Sequence, residues 1–284
     1  MGISTSTFYD IEKRIKNPKA DKEDADLRDK IESIVIEFPG YGYRRVTKHL
    51  QHEGGLINHK RILRIMHNSD LLCALERSFK VTTTDSNHGY PRYPNLAKEI
   101  ELTGVNQLWV ADITYIRITR GFVYLAMIMD AYSRKIVGYA LSENIDTDLA
   151  LSALKAALET RKPAAGCVHH SDQGIQYCSK EYTDYLHNNE FGISMSRRGN
   201  CYDNAKAESF FKTLKREEVY LWDYQTIDDV RKSVSHFVEQ VYNAKRLHSS
   251  LGYCAPDVFE ESLKNIAQDD MPDRSNLSSK SFHL

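Results

Sequence analysis

Between residues 107 and 217 the hydrophobic pattern changes period in an order that constrains the fold. Three β-rich runs come first, separated by segments short enough to be hairpin turns: Leu108–Ile118, Phe122–Asp130 and Ile136–Leu141. Alternating units follow: a helix capped by Thr147 and running through Leu158, a strand at 167–171, a helix near 179–189, a strand at 193–196 and a helix that Glu208 starts. Three antiparallel strands followed by such units predict a mixed α/β sheet with helices on its faces.

Three carboxylates lie on separate elements of this pattern. Asp112 lies within the first strand, and Asp172 follows a short apolar stretch that has the character of a buried strand. Glu208 shares one helical face with Lys212 and Lys215, at the spacing i, i+4 and i+7. Taken singly, each has an ordinary structural explanation, such as a turn residue or a surface ion pair between Glu208 and Lys212. Taken together, three carboxylates on rigid elements are suited to holding Mg²⁺, which prefers oxygen ligands.

The motifs around these carboxylates come in a specific order: Asp112–Tyr115, Gly121–Leu125, Asp130–Arg134, His170–Tyr177 and Ser194–Phe211. The series resembles the catalytic core of the Asp-Asp-Glu transposases of bacterial insertion sequences. Within these it is similar to the second-frame product (OrfB) of the insertion-sequence-three family, which is related to retroviral integrases. The resemblance extends from about Arg28 to about Phe259 and includes a C-terminal block at 243–253. In that block Lys245 and Arg246 are further candidates for DNA contact, with the capping of a buried helix as the alternative role.

The resemblance implies a ribonuclease-H-like fold in which the first and fourth strands are neighbours, so that Asp112 and Asp172 come together. It also implies metal-dependent cleavage of DNA at the ends of the element and transfer of those ends to a new strand. Asp112, Asp172 and Glu208 would be both the catalytic residues and the metal ligands. Two Mg²⁺ ions, or Mn²⁺ in their place, would activate the attacking hydroxyl and stabilise the leaving 3′-oxygen. No protein nucleophile is expected, and without a Gly-rich phosphate loop neither is ATP.

Two other functions remain open at this point. The chain could be a non-catalytic DNA-binding regulator, although the intact carboxylates argue against that. It could also be a ribonuclease-H-like nuclease that only hydrolyses, although the basic helical module and the long linker favour the handling of DNA ends.

Residues 24–75 predict a small helix-turn-helix-like module that precedes the catalytic core. Leu27, Ile31, Ile34, Val35 and Phe38 lie on one helical face, Pro39-Gly40 breaks the run, and Tyr43, Val46 and Leu50 restart it. Asn58 is a plausible cap for a third helix with Ile62, Ile65 and Met66 inward and Lys60, Arg64 and His67 outward. A basic outer face fits DNA binding, while a three-helix bundle with a solvated basic face remains the alternative.

Ten basic residues are the candidates for DNA contacts. They are Arg44, Arg45, Lys48, Lys60 and Arg64 in the helical module, and Arg197, Arg198, Lys206, Lys212 and Lys215 around Glu208. The net charge of −1 does not argue against nucleic acid, because it is unevenly distributed. Residues 40–80 hold eight Lys/Arg against three Asp/Glu, and residues 197–216 hold six against two.

Four other polar residues compete for functional roles. His169 and His170, next to Asp172, are interpreted as structural or as neighbours of the metal ligands. Asp130 is interpreted as a turn or structural residue, and Asp203 as an organiser of its loop. Trp109 and Tyr115 are expected in the core.

The domain prediction has five parts: an N-terminal segment at 1–23, the helical module at 24–75, a linker at 76–104, the catalytic core at 105–262 and a polar, acidic tail at 263–284. Five scattered cysteines without a C-x-x-C pair, and no long apolar run or leader, favour a cytoplasmic protein with reduced thiols. The expected partners are double-stranded DNA, meaning terminal inverted repeats and target DNA, and further copies of the chain on that DNA. The resemblance adds an upstream-frame product, or fusion to it, because the family carries another recognition segment there.

Overall fold

The computed structural model describes residues 18–73, 89–197 and 204–269. The chain divides into two compact units, one formed by residues 1–80 with 215–221 and the other by residues 81–214 with 222–284. Within the described ranges, none of the helices combines the length and the apolar character needed to cross a membrane.

The first unit contains three helices, α1 (Pro18–Glu37), α2 (Tyr43–His52) and α3 (His59–Asn68). Their apolar faces form a small core, as predicted from periodicity: Leu27, Ile31, Ile34, Phe38, Val46, Leu50, Ile62, Ile65 and Met66 are all buried. Val35 and Tyr43, predicted on the same faces, are only part-buried. The predicted cap is confirmed, since the Asn58 side chain accepts a hydrogen bond of 2.9 Å from the amide of Lys60. The first helix, α1, spans 20 residues and begins six residues before residue 24, where the helical module was predicted to start.

The second unit is built on a five-stranded sheet. Its strands are β1 (Leu108–Ile118), β2 (Gly121–Asp130), β3 (Ile136–Ser142), β4 (Val168–Ser171) and β5 (Gly192–Met195), in the order β3-β2-β1-β4-β5. The pairs β1–β2 and β2–β3 are antiparallel, whereas β1–β4 and β4–β5 are parallel. Three antiparallel strands extended by two parallel ones form the ribonuclease-H-like mixed sheet, so the predicted fold and the predicted pairing of the first and fourth strands are confirmed.

Helices cover this sheet. They are α4 (Thr147–Thr160), α5 (Ile175–Cys178), α6 (Lys180–Asn188), α7 (Ala205–Glu217), α8 (Ile227–His236) with a π-helical continuation at Phe237–Asn243, and α9 (Pro256–Asp269). The prediction that Thr147 caps α4 is wrong by one residue: Asp146 is the cap, because its carboxylate reaches the amide of Leu149 at 2.9 Å. Sequence periodicity missed α5, which has only four residues, and α9, which runs past the boundary proposed at 262–263.

In the core between α4 and the sheet, the backbone of α4 lies very close to Gly138 of β3. An added Cβ at Gly138 of β3 would lie 2.4 Å from the carbonyl oxygen of Ala153 and 2.5 Å from the amide of Ala157. Only glycine therefore lets the α4 backbone lie this close to β3. Trp109, predicted as core, is fully buried on the same side of the sheet, while Tyr115 is only part-buried.

Part of the predicted linker is fastened to the outer strand β5. The hydroxyl of Ser194 accepts hydrogen bonds from the amides of Leu96 and Ala97, at 2.9 and 3.2 Å. The amide of Met195 donates to the carbonyl of Pro94 at 3.3 Å. The bond of Met195 satisfies a backbone amide of the edge strand, which would otherwise be open to pairing with another chain, and the two bonds to Ser194 fasten the linker beside it.

Candidate active site

Asp112 and Asp172 lie on neighbouring segments of the sheet. The register pairs Val110 of β1 with His170 of β4; Asp112 lies two residues further along β1, and Asp172 lies two residues beyond His170, just past the end of β4 at Ser171. Because neighbouring strands are about 4.8 Å apart, we expect the two carboxylates to lie near each other. Both residues are part-buried. The structure thus brings together the first two of the three predicted carboxylates.

Local hydrogen bonds define the position of the second carboxylate. Asp172 comes directly after β4, and its side chain accepts a hydrogen bond of 2.9 Å from the amide of Gly174. This is a turn formed by the aspartate on its own backbone, and it leads straight into α5. Asp112 accepts a bond of 2.9 Å from the amide of Ile113.

Tyr177 of α5 is the residue near these carboxylates that the sequence argument passed over. Its ring is buried, and its hydroxyl has no hydrogen-bond partner within the described part of the chain. Burial raises the pKa of Tyr177 well above its usual value, and the charges of Tyr182, Asp112 and Asp172 raise it further. The phenol therefore stays neutral and keeps a proton close to both aspartates. Because Tyr177 ends the His170–Tyr177 motif, its position in that motif could have identified it as a residue of the site.

Glu208 lies in the first turn of α7. A neighbouring side chain ties the start of that helix to β1, since the amide of Asn204 donates to the carbonyl of Ala111 at 3.0 Å. The buried face of α7 consists of Ala207, Phe210, Phe211 and Leu214, as the predicted periodicity requires. Glu208 itself remains about 37% exposed and pairs with Lys212 at 3.8 Å, as the surface-ion-pair alternative expects. Across the described ranges, no three His, Cys, Asp or Glu side chains form a group spaced as the ligands of a metal ion.

The two histidines before Asp172 are structural. His169 is buried and shares a hydrogen bond of 2.9 Å with the hydroxyl of Tyr182. Burial, and then the neighbouring His170, lower the pKa of His169 to about 3. His170 lies 2.8 Å from the hydroxyl of Ser194. Because that hydroxyl already accepts two amide bonds, it donates its proton to the Nδ1 atom of His170.

Asp130 is a turn residue, as interpreted from the sequence. Its fully buried carboxylate accepts hydrogen bonds from the amides of Asn106, Tyr132 and Ser133, at 2.6 to 2.9 Å. These bonds shape the turn from β2 to β3. Asp203 and Arg198, which were also singled out, lie outside the described residues.

The predicted DNA-contacting residues differ in how they are held. Lys60 and Arg64 project outward from α3, but Arg64 is bound to Asp24 at 2.6 Å, and Arg61 reaches the same carboxylate at 2.7 Å. Burial tends to raise the pKa of Asp24, yet the bonds to Arg61 and Arg64 outweigh it and lower that pKa.

The other cations differ in exposure. Arg44 is exposed, Arg45 lies over the ring of Tyr41 with 5.7 Å between guanidinium carbon and ring centroid, and Lys48 is part-buried. Of the second group, Arg197 and Lys212 are exposed and Lys206 and Lys215 are part-buried. In the C-terminal block Lys245 is exposed, whereas Arg246 is buried.

Most of the chain matches known protein families. Residues 103–201 and 189–256 match two families that are both described as "Integrase core domain", and residues 21–79 match an "HTH-like domain" family. The fold and the sequence therefore define a helix-turn-helix-like region followed by an integrase core.

Relatives that match most of the chain identify a more specific family among proteins with an integrase core. The chain is 37% identical to the "Insertion element IS600 uncharacterized 31 kDa protein" of Shigella sonnei, over 94% of this chain and 98% of the relative. It is also 37% identical to the transposase of insertion sequence element IS904 of Lactococcus lactis, over 83% and 93%, and 36% identical to the InsF transposase of insertion sequence IS3A of Escherichia coli, over 80% and 78%. The chain belongs to the insertion-sequence-three family of transposases.

Viral integrase structures are among the solved structures that match this chain. A simian T-cell lymphotropic virus intasome in complex with a PP2A regulatory subunit matches with a TM-score of 0.49 and 14% identity, over 85% of this chain and 75% of that chain. The catalytic core domain of HTLV-2 integrase in complex with magnesium matches with a TM-score of 0.42 and 13% identity, over 55% and 96%. The assignment to the family rests on the sequence matches alone.

Proposed function

We propose that this protein is a DNA transposase that cuts the ends of an insertion sequence and joins them to a new DNA strand, with Asp112, Asp172 and Glu208 as its catalytic carboxylates. The observation that carries the proposal is the parallel pairing of β1 with β4, in which Asp112 and Asp172 each follow two residues after the paired Val110 and His170. Family membership supports the coarser activity, polynucleotidyl transfer, and the geometry supports the assignment of residues.

The carboxylates fit a divalent cation of the hard type. Asp112 on β1 and Asp172 directly after β4 supply carboxylate oxygens, the donors that Mg²⁺ prefers. Glu208 is loosely held by an exposed lysine and would be the third ligand. When bound, Mg²⁺ or Mn²⁺ lowers the pKa of an attacking hydroxyl and offsets charge on the leaving oxygen.

The chain's own residues would position the DNA for this chemistry. Lys212 and Lys215 lie one and two turns beyond Glu208 on α7, where their charges would hold backbone phosphates beside the carboxylates. Arg197, Arg198 and Lys206 would add contacts around the same helix. In the first unit, Lys60 is the outward cation of α3 best suited to touch DNA, with Arg44, Arg45, Lys48 and Arg64 as the other proposed contacts.

Terminal inverted repeats and target DNA are the proposed substrates. Because two ends must be joined in one event, we infer that several copies of the chain assemble on the DNA. The product of an upstream frame, or a fusion to it, is the proposed source of additional end recognition.

A cleavage assay with and without an acceptor duplex tests the proposal. The full chain would be incubated with Mg²⁺ and a labelled duplex that carries the inverted repeats flanking its gene. Joined products that require the acceptor support a transposase. Hydrolysis alone would support a ribonuclease-H-like nuclease, and DNA binding without any cleavage would support a regulator.

A further inference from the structure

The two faces of the β1–β2 hairpin are covered to different lengths. On the face that carries Asp112, apolar side chains stay buried almost to the end of the hairpin, where Ile116 pairs with Val123. On the opposite face, the last buried pair of the core shared with α4 is Ile113 with Ala126. Beyond that pair, this face of the sheet opens to solvent.

Four side chains occupy the open end of this face, and we call them the hairpin patch. The register pairs Tyr115 with Tyr124 and Arg117 with Phe122, and paired residues of antiparallel strands share a face. The two tyrosines are part-buried, whereas Arg117 is exposed and Phe122 is 40% exposed. The rings of Tyr115 and Phe122 meet edge to face, with 5.5 Å between their centroids and 89° between their planes. The patch is therefore aromatic, accessible and flanked by a cation.

The turn beyond the hairpin patch is anchored to another part of the same unit. The amide of Thr119 donates to the carbonyl of Tyr224 at 2.9 Å, and its hydroxyl donates to the side-chain oxygen of Gln225 at 2.8 Å. These bonds fasten the tip of the hairpin to the segment that precedes α8. The patch thus lies on a rigid element, where its rings can be held ready for a ligand.

We propose that the hairpin patch binds an unpaired strand of DNA, with a base stacked on its rings and a phosphate on Arg117. This proposal rests on the proposed function only in taking DNA as the ligand. Aromatic side chains on a sheet surface stack on unpaired bases, because every base has a π face. In a duplex those faces are already stacked on one another. Phe122 has no polar group with which to read the edge of a base, so the patch suits base faces.

The charges around the hairpin patch favour a phosphate on one side of it. Arg120 lies in the turn close to Arg117, and both residues are exposed. A guanidinium binds phosphate oxygens through parallel N–H groups. On the other side, Glu143 follows Ser142, the residue of β3 that pairs with Tyr124, and its charge would repel a phosphate there. We therefore expect the backbone of the bound strand to pass the two arginines, with its bases over the rings.

The hairpin patch is distinct from the catalytic carboxylates. Successive side chains of a strand point to opposite faces, so Tyr115, three residues after Asp112, points away from the face that carries that carboxylate. At about 3.3 Å per residue, the two positions are about 10 Å apart along β1. Binding at the patch therefore requires neither the metal nor the carboxylates.

The test measures binding of the full chain to a labelled strand of about 16 thymine nucleotides, a length within the range that single-strand sites cover. The same strand paired with its complement is the duplex probe. Phe122→Leu keeps an apolar side chain but removes the ring, and Phe122→Trp keeps a ring. Tyr90→Leu removes an exposed ring elsewhere in the same unit and is the matched control. Fluorescence anisotropy would be recorded without divalent metal, over a series of salt concentrations.

We expect Phe122→Leu to weaken binding to the single strand by about 5-fold or more, the effect of losing one stacked base. Its binding to the duplex should be unaltered, and Phe122→Trp should hold the single strand at least as tightly as the natural chain. Arg117→Gln should reduce the slope of log K against log salt by about 0.7 for the single strand, since one phosphate contact is lost. Lys162→Gln, at an exposed position of the same unit, should leave that slope unaltered.

Three results would overturn the proposal. They are an unaltered single-strand affinity in Phe122→Leu, an equal loss in Tyr90→Leu, or an equal loss on the duplex, which would make the patch a duplex contact or the loss a defect of folding. Sedimentation without DNA identifies another occupant. If Phe122→Leu keeps its single-strand affinity but dissociates an oligomer of the chain, the patch contacts a second copy instead.

Failure of this proposal can be told apart from failure of the proposed function. A chain that holds the single strand through Phe122 but never cleaves DNA would refute the transposase chemistry and leave the hairpin patch standing. A chain that cuts and joins DNA, while its single-strand affinity is indifferent to Phe122, would lose the patch and keep the chemistry.

Discussion

Asp112 and Asp172 are 60 positions apart in the sequence, yet each lies two residues beyond the paired residues Val110 and His170 of two adjacent parallel strands. The parallel pairing requires the chain to pass through β2, β3 and α4 before it returns as β4. The paired strands therefore position Asp112 within β1 and Asp172 at the end of β4. Because this arrangement depends on the whole β1–β4 segment, substitutions in the site can affect both folding and chemistry.

Neutralising any of the three carboxylates should stop the reaction. Asp112→Asn, Asp172→Asn and Glu208→Gln keep the size of the side chain but remove a charge that binds metal, so cleavage and joining should fall by about 100-fold or more. DNA binding, measured by anisotropy, should survive. Glu159→Gln, at an exposed position of α4, is the matched control. Near-normal turnover in one of the three variants would remove that residue from the site.

Divalent metal should stabilise the second unit. Clustered carboxylates repel one another, so a cation bound only by the folded chain would add about 2.7 kcal/mol at a 100-fold excess over its dissociation constant. Thermal melting with and without Mn²⁺ measures this. The shift should disappear in Asp112→Asn with Asp172→Asn. An identical melting temperature at every Mn²⁺ concentration, with and without duplex DNA, would contradict a metal site here.

The basic face of α3 should contribute unequally to DNA binding. Lys60→Gln should reduce the slope of log K against log salt by about 0.9, since one phosphate contact is lost. Arg64→Gln should reduce it by less, because Asp24 already neutralises part of that charge. Turnover at saturating DNA should change little in both. If Lys60→Gln leaves the slope unaltered, the first unit is a structural bundle, and the phosphate contacts lie around α7.

Acid should destabilise the fold through His169. Its pKa is about 3 in the folded chain and near 6.5 when unfolded, so between these values the unfolded state binds the extra proton. The neutral His169 therefore makes its full contribution to the free energy of unfolding above about pH 6.5. That contribution is lost as pH falls toward 3, and the free energy of unfolding decreases by at most about 1.4 kcal/mol per pH unit. His169→Gln, which keeps a partner for the hydroxyl of Tyr182, should flatten the dependence of denaturant midpoint on pH. An equally steep dependence in the variant would show that other groups cause it.

Adding one methyl group at Gly138 should loosen the contact between β3 and α4. Its Cβ would lie 2.4 Å from the carbonyl oxygen of Ala153, so the helix must shift, and overpacking of this kind costs about 1–3 kcal/mol. Denaturant unfolding of Gly138→Ala measures the loss. Gly89→Ala is the control, because nothing lies within 4 Å of its added Cβ. Equal denaturant midpoints for Gly138→Ala and Gly89→Ala would mean that α4 shifts away from β3 without a cost in stability.

The sequence by itself determined the elements and the family. Strand periodicity gave β1 at its observed bounds and β2 and β3 within one residue at each end, and the apolar spacing of α1, α2, α3 and α7 identified their buried faces. These are local properties, because the period of the side chains follows from the backbone geometry of one element. The motif series then identified the transposase family and predicted the neighbouring first and fourth strands, while the three catalytic carboxylates that it implies remain a proposal.

Tertiary structure decided what is adjacent to what. The sequence could not show that Asp24 binds Arg61 and Arg64, that Ser194 fastens residues 94–97 to β5, or that Tyr177 keeps its proton beside Asp112 and Asp172. Charges, hydrogen bonds and desolvation depend on distances between residues far apart along the chain, and these distances exist only once the sheet and its helices are packed.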